Sequence, residues 1–205
     1  MVMAVSGMSQ TRWTTKNIPD NSGRTICITG ANSGLGLEAA RNLVGAGAHV
    51  IMACRNVEKA EAAAQSLRSG KGSVEVRQLD LASLASIRQF SEQLLADGIE
   101  LDGLMNNAGL MALDQSRTED GFETQIGVNH LGHFALTGLL LPSLMKRPNS
   151  RIVNVSSMGH IPGKIHLDDL MCDRRRYSRW GAYFQSKLAN ILFTNELERR
   201  LRETS

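Results

Sequence analysis

At 205 residues, with 42% hydrophobic and 21% charged side chains, the chain is long enough to bury a proper core in one domain, and a second full domain is not expected. A formal net charge of +3, with a dense basic run only at Arg174, Arg175 and Arg176, leaves no electrostatic footprint for nucleic acid. Cys27, Cys54 and Cys172 lie far apart with no CxxC pair, and no apolar stretch reaches the roughly 18 residues of a membrane span, so the composition reads as a soluble, reduced, cytoplasmic protein with neither zinc site nor signal peptide.

Residues 1–22 are polar and turn-rich through Ile18-Pro19-Asp20-Asn21-Ser22, and read as an N-terminal arm in which Met1, Met3 and Met8 are alternative starts. From residue 23 to 205 the chain reads as one domain. Thr25 to Thr29 is a short apolar strand, Gly34 to Gly47 a helix and His49 to Cys54 a second strand. The unit repeats: a helix over Val57 to Arg68, a strand over Val74 to Leu79, a helix over Leu84 to Leu95 and a strand over Leu101 to Met105. A long helix is expected from about Glu119 to Met145, a fifth strand over Arg151 to Ser156, and a final amphipathic helix over Ala182 to Arg202.

Strands alternating with helices make a parallel sheet covered on both faces, since each parallel connection must cross the sheet and packs a helix on the way. The fold class is α/β, a Rossmann-type doubly wound sheet. Val74-Glu75-Val76-Arg77 alternates like an edge strand, whereas the other four strands are nearly continuous in apolar residues. The order 3-2-1-4-5 fits, with a ligand crevice at the switch point between the first and fourth strands.

The first strand runs into Thr29-Gly30-Ala31-Asn32-Ser33-Gly34-Leu35-Gly36 and then a helix, which is where backbone N–H groups can cradle a pyrophosphate. Gly30 permits the tight turn, Gly34 lets the backbone approach the phosphates, and Gly36 lets helix and strand pack closely. At the end of the second strand, Ala53-Cys54-Arg55-Asn56 has no acid to bond a ribose 2′-hydroxyl. Arg55 can instead pair with a 2′-phosphate, which favours NADP over NAD.

Three more landmarks follow: Asn106-Asn107-Ala108-Gly109 after the fourth strand, Val153-Asn154-Val155-Ser156-Ser157 closing the fifth, and Tyr183-Phe184-Gln185-Ser186-Lys187. Together with the glycine loop they resemble the short-chain dehydrogenase/reductase family, from about Gly23 to the C-terminus. The resemblance implies an NADP-linked oxidoreductase acting on an alcohol, aldehyde or ketone. It places Asn32, Ser33, Leu35, Asn107, Ala108 and Gly109 with Gly30, Gly34, Gly36 and Arg55 at the cofactor, Asp80 and Leu81 at the adenine, and Asn129, Ser157, Tyr183 and Lys187 in catalysis, the last two also contacting the cofactor.

The chemistry can be argued beside the resemblance. Tyr183 and Lys187 are four apart on one helix and share a face, so an ammonium stands near a phenol and favours its ionised form, as a general acid/base requires. A serine at the end of the fifth strand can stabilise alkoxide charge. The resemblance selects Ser157 over Ser156 and gives Asn129 a part in a water-linked proton relay to the lysine. Read singly, a tyrosine packs its ring, a serine ends a strand and an asparagine kinks a helix; their conjunction carries the assignment. His130 and His133 have no third ligand at suitable spacing and read as structural, with no metal expected. Asp80 has a plainer reading as a helix cap.

Between Ser157 and Tyr183 the segment 158–182 is longer than in most of the family and is similar to that of the retinol dehydrogenase-like branch, which suggests a lipophilic substrate. Its run Arg174 to Arg176 reads as a solvated loop. The family continues past the tyrosine helix with strands six and seven, which this sequence lacks. The fifth strand is then an open edge and the Leu188, Ile191, Leu192 stripe is short of cover. Two readings stay open: an oxidoreductase whose sheet is completed elsewhere, a homo-oligomer included, or a shortened dinucleotide-binding or interaction protein with little activity.

Overall fold

A computed structural model describes residues 13–202. Of the expected arm, residues 1–12 with Met1, Met3 and Met8 lie outside the described residues. The rest is anchored: Asn21 N–H donates to Ala46 O at 2.8 Å, and Lys71 pairs with the Asp20 carboxylate at 2.8 Å.

The elements run β1 (Thr25–Thr29), α1 (Gly34–Gly45), β2 (His49–Cys54), α2 (Val57–Gln65), β3 (Ser73–Gln78), α3 (Leu84–Ala96), β4 (Gly103–Asn106), α4 (Thr124–Ile126), α5 (Gly132–Leu144), β5 (Arg151–Asn154) and α6 (Arg179–Arg202). Every strand pair is parallel, and the order is β3-β2-β1-β4-β5, as the alternation of elements requires. Alternate side chains feed two cores. Cys27 of β1 with Ile51 and Ala53 of β2 pack toward α3 and α5, whereas Ile28 with Val50 and Met52 pack toward α1 and α2. The crevice beyond the carboxyl ends of β1 and β4 is thereby built on a rigid, doubly covered platform. No helix among the described residues is long and apolar enough to cross a membrane.

The helix expected from about Glu119 begins only at Thr124. Residues before it fold back instead: Arg117 and Glu123 form an antiparallel bridge, and the Glu123 carboxylate accepts the N–H groups of Gln125 and Ile126 at the helix start. Between α4 and α5 the backbone widens into a π-helical stretch over Gly127–Leu131, closed by Gly132 N–H on Gly127 O. Both glycines are pressed against neighbours. A Cβ on Gly127 would meet Thr118 Cγ2 at 2.6 Å, and one on Gly132 would meet Leu81 O at 2.5 Å.

The sheet edges also differ in detail from the sequence reading. β5 stops at Asn154, short of Ser156, whose hydroxyl turns to α6 and donates to Lys187 O at 2.8 Å. Val153 on this edge is 48% exposed. In α6, Leu188 and Ile191 are partly buried and Leu192 is exposed, while the fully buried positions include Gln185, Ser186, Lys187 and Asn190. The inner face of α6 thus mixes these polar groups with Ala182, Tyr183 and Ala189, and it forms one wall of the site described next.

Candidate active site

The loop after β1 is shaped by its glycines and locked to the loop after β4. Gly30 stands at φ +64°, and a Cβ there would lie 2.9 Å from Ala108 Cβ. Gly34 stands at φ +55° with open space where a Cβ would project, the conformation and clearance a phosphate cradle requires. A Cβ on Gly36 would come within 2.5 Å of Asn107 Nδ2 and 2.7 Å of Gly30 O. This glycine therefore makes room for the neighbouring loop, where the sequence reading assigned it to helix–strand packing. Thr29 Oγ1 accepts the N–H groups of Asn107 and Ala108 at 2.9 and 3.0 Å, and Asn107 Nδ2 donates to Thr29 O at 2.9 Å.

The two loops wall a cleft of about 540 Å³. Of the residues assigned to a cofactor, Gly30, Asn32, Ser33, Leu35, Arg55, Asp80, Leu81, Asn107, Ala108 and Gly109 line it. Gly34 and Gly36 shape the loop without lining the cleft, and Tyr183 and Lys187 lie beyond it. The cleft adds Lys59, which sequence reading passed over. Asn56 caps α2 by accepting Lys59 N–H at 2.8 Å, so Arg55, just before the cap, and Lys59, in the first turn, both line the cleft and are both exposed. Asp80 is not the cap of α3. Its carboxylate accepts Ala82 N–H at 2.9 Å, and Ser83 caps the helix by accepting Ser86 N–H.

At the opposite end, Gly109 connects the cleft to Asn129 and Lys187: a Cβ there would lie 3.4 Å from both Asn129 Oδ1 and Lys187 Nζ. Lys187 is 5% exposed, its Nζ is 5.8 Å from the centroid of the Tyr183 ring, and it donates to Val155 O at 3.2 Å. Burial pulls the Lys187 pKa below its ordinary value. Asn129 is fully buried in the π-helical stretch. Its Oδ1 accepts Leu110 N–H at 2.7 Å, while Nδ2 donates to Leu110 O and to Ser186 Oγ, each at 2.9 Å. Ser157 caps the 3-10 turn Met158–His160, its Oγ accepting Gly159 N–H at 3.1 Å. A Cβ on Gly159 would in turn meet the Phe184 ring at 2.9 Å and the Tyr183 ring at 3.2 Å. The two serines are therefore held differently, Ser156 tied to the α6 backbone and Ser157 capping the turn whose Gly159 packs against the Phe184 and Tyr183 rings.

The segment between Ser157 and Tyr183 is braced by more polar groups than its sequence suggests. Tyr177 Oη donates to the buried Glu123 carboxylate at 3.0 Å and accepts from Gln125 Nε2 at 2.9 Å. Arg174 pairs with Asp168 at 3.7 Å and Arg175 with Asp169 at 3.6 Å. Two of the three arginines expected in a solvated loop are thus internally paired. Acid and base lie within a few residues of each other in Leu167-Asp168-Asp169-Leu170 and Arg174-Arg175-Arg176, a signal that could have been read.

A doubly wound parallel sheet, a glycine loop opening α1 and a Tyr–Lys pair one helical turn apart define a Rossmann-type α/β class. The chain belongs to the short chain dehydrogenase family, whose pattern matches residues 24–169. Within that family it falls in the retinol dehydrogenase-like branch, being 52% identical over 184 residues to human (Homo sapiens) retinol dehydrogenase 12, a match covering 89% of this chain and 58% of that protein. The chain spans a little over half the length of the curated relatives it matches. Among solved structures, an uncharacterized protein from Mycobacterium paratuberculosis superimposes with a TM-score of 0.84 at 54% identity, covering 94% of this chain and 68% of that one. A Pseudomonas aeruginosa RhlG/NADP active-site complex superimposes with a TM-score of 0.71 at 26% identity, covering 90% of this chain and 69% of that one.

Proposed function

We propose that the site transfers a hydride between the nicotinamide of NADP and a lipophilic alcohol, aldehyde or ketone. The observation that carries this reading is the continuity of the cleft: Arg55 and Lys59 stand at one end, the open Gly34 turn opens α1, and Gly109 meets Lys187 at the other end. Two cations lining the cleft after the second strand suit a 2′-phosphate, and the loop at the start of α1 suits the pyrophosphate. A bound nicotinamide dinucleotide supplies the hydride acceptor or donor. In the oxidation direction Tyr183 takes the proton from the substrate hydroxyl as hydride leaves the carbon, and in reduction it returns it. Lys187 supplies the positive charge beside the phenol, and Ser157 Oγ hydrogen-bonds the substrate oxygen as charge develops.

The lipophilic substrate class is supported by exposed apolar groups at the reactive end. Met158, next to Ser157, is 75% exposed, and Trp180, 51% exposed, sets its ring 6.1 Å from that of Tyr183. The kinship with retinol dehydrogenases supports the same class. The test is to titrate NADPH and NADH by nucleotide fluorescence and to assay carbonyl reduction over a panel of long-chain aldehydes and ketones. NADPH is expected to bind more tightly by about 1 to 3 kcal/mol, the magnitude of hydrogen bonds to a charged group, and Arg55→Asp to reverse the preference. Equal affinities would overturn the cofactor assignment. Tight binding with no turnover on any carbonyl would instead favour a dinucleotide-binding protein.

A further inference from the structure

His133, which its spacing marks as merely structural, is engaged through both ring nitrogens. The residue is 2% exposed, with Nδ1 3.1 Å from the backbone oxygen of Asn129 and Nε2 2.8 Å from Thr29 Oγ1. A carbonyl oxygen has no proton to give, so Nδ1 carries the ring hydrogen and Nε2 is the acceptor. The tautomer in turn orients the threonine. Its hydroxyl hydrogen goes to Nε2, since the alternative acceptor, Met105 O, is farther off at 3.4 Å. Its lone pairs are then left for the N–H groups of Asn107 and Ala108. Burial, helped by the nearby Lys187 and His130, pushes the His133 pKa down to about 4 and keeps the ring neutral.

The placement is unusual for a helix residue. Asn129 belongs to the widened turn in which Gly132 N–H reaches back to Gly127 O, and the imidazole provides a side-chain donor to a carbonyl of that turn. Thr29 is the residue that joins the two cofactor loops. One ring therefore spans from the wide turn carrying the buried asparagine to the threonine that ties together the two loops of the cleft.

We propose that His133 is a positioning residue that holds the Asn129 turn and the Thr29 hydroxyl in one register, coupling the proton-handling end of the site to the dinucleotide cleft. This rests on the function proposed above, and its two bonds can be separated by substitution. In His133→Asn the amide stands where Nδ1 stands and can still donate to Asn129 O, but does not reach Thr29. In His133→Gln the longer amide can accept from Thr29 while losing the bond at the Nδ1 position. His133→Leu loses both.

The experiment measures kcat, the NADPH Kd and thermal unfolding for the three variants. The Asn variant is expected to bind NADPH about tenfold more weakly with kcat at saturating dinucleotide nearly kept, and the Gln variant to show the reverse, each change corresponding to one lost buried hydrogen bond. The Leu variant should show both losses. Long-range ¹⁵N–¹H correlation spectra of the parent should report the Nδ1–H tautomer, and the amide signals of Asn107 and Ala108 should move in the Asn variant more than in the Gln variant. The NMR readouts need neither turnover nor cofactor, so a parent that fails to bind NADPH sinks the functional reading alone. An Nε2–H tautomer, or Asn and Gln variants indistinguishable from Leu in every readout, would overturn the positioning role.

Discussion

Asn129 in the π-helical stretch and Ser186 in α6 are joined by a 2.9 Å hydrogen bond, and Ser186 Oγ itself donates to Tyr183 O at 2.7 Å. The residue immediately before Lys187 thus fastens the wide turn to the helix bearing Tyr183 and Lys187. Ser186→Ala leaves Asn129 Nδ2 its bond to Leu110 O and is expected to cost about 1 kcal/mol. Asn129→Ala also strands the N–H and C=O of Leu110, and should cost about 3 kcal/mol or more. Denaturant unfolding of the two variants checks the ranking; equal losses would show that the Leu110 bonds contribute little.

Tyr183→Phe removes the proton donor but no group that lines the cleft, so turnover should fall by at least about a hundredfold while NADPH affinity stays within about twofold. Lys187→Ala should damage both, because its Nζ lies against the Gly109 end of the cleft. Steady-state kinetics with nucleotide titration separates the two. Substantial turnover in Tyr183→Phe would place the acid/base role elsewhere.

Glycine replacements should separate the two ends of the site. Gly36→Ala drives a methyl into Asn107 Nδ2 and Gly30 O and is expected to cost about 1 to 3 kcal/mol, with weakened NADPH binding. Gly159→Ala presses on the Phe184 and Tyr183 rings, and should lower kcat while sparing the dinucleotide Kd. Calorimetry of nucleotide binding alongside turnover tests the contrast, and a Gly159→Ala enzyme with parental kcat would show that the rings yield freely.

The buried His133 gives the fold a pH signature. Its pKa is lowered by burial from an ordinary 6.5 to about 4, so between these values the unfolded chain takes up a proton that the folded one refuses. Stability contributed by this group is complete above about pH 6.5 and falls as the pH drops toward 4, by up to about 3 kcal/mol. His133→Gln should unfold with a shallower pH dependence across that window, measured by urea titrations at several pH values. An unchanged slope would mean that the imidazole titrates normally in the folded chain.

The strands, their parallel order and the glycine loop were legible along the chain because each rests on local repetition. Apolar residues crowd into Cys27-Ile28 and Val50-Ile51-Met52, and a strand turns successive side chains to opposite faces whatever lies beyond it. The four-residue spacing of Tyr183 and Lys187 needs only helical geometry to put both on one face. By themselves these residues specified the doubly wound class, the crevice beyond the carboxyl ends of its strands and the shared helix face of Tyr183 and Lys187. Only the tertiary structure decided how the pair is supported. The wide turn at Gly127–Leu131 follows from Gly127 packing on Thr118 and Gly132 on Leu81, contacts that no periodicity announces. Lys59 joins Arg55 because Asn56 starts α2 between them. The buried face of α6 carries polar groups that an amphipathic pattern does not announce, because Ser186 and Asn190 bond Asn129 and Val155 across the fold. Thr29 and His133 stand 104 positions apart and touch within 2.8 Å. Side chains that distant meet only after the sheet has stacked its layers, so their chemistry belongs to the folded chain.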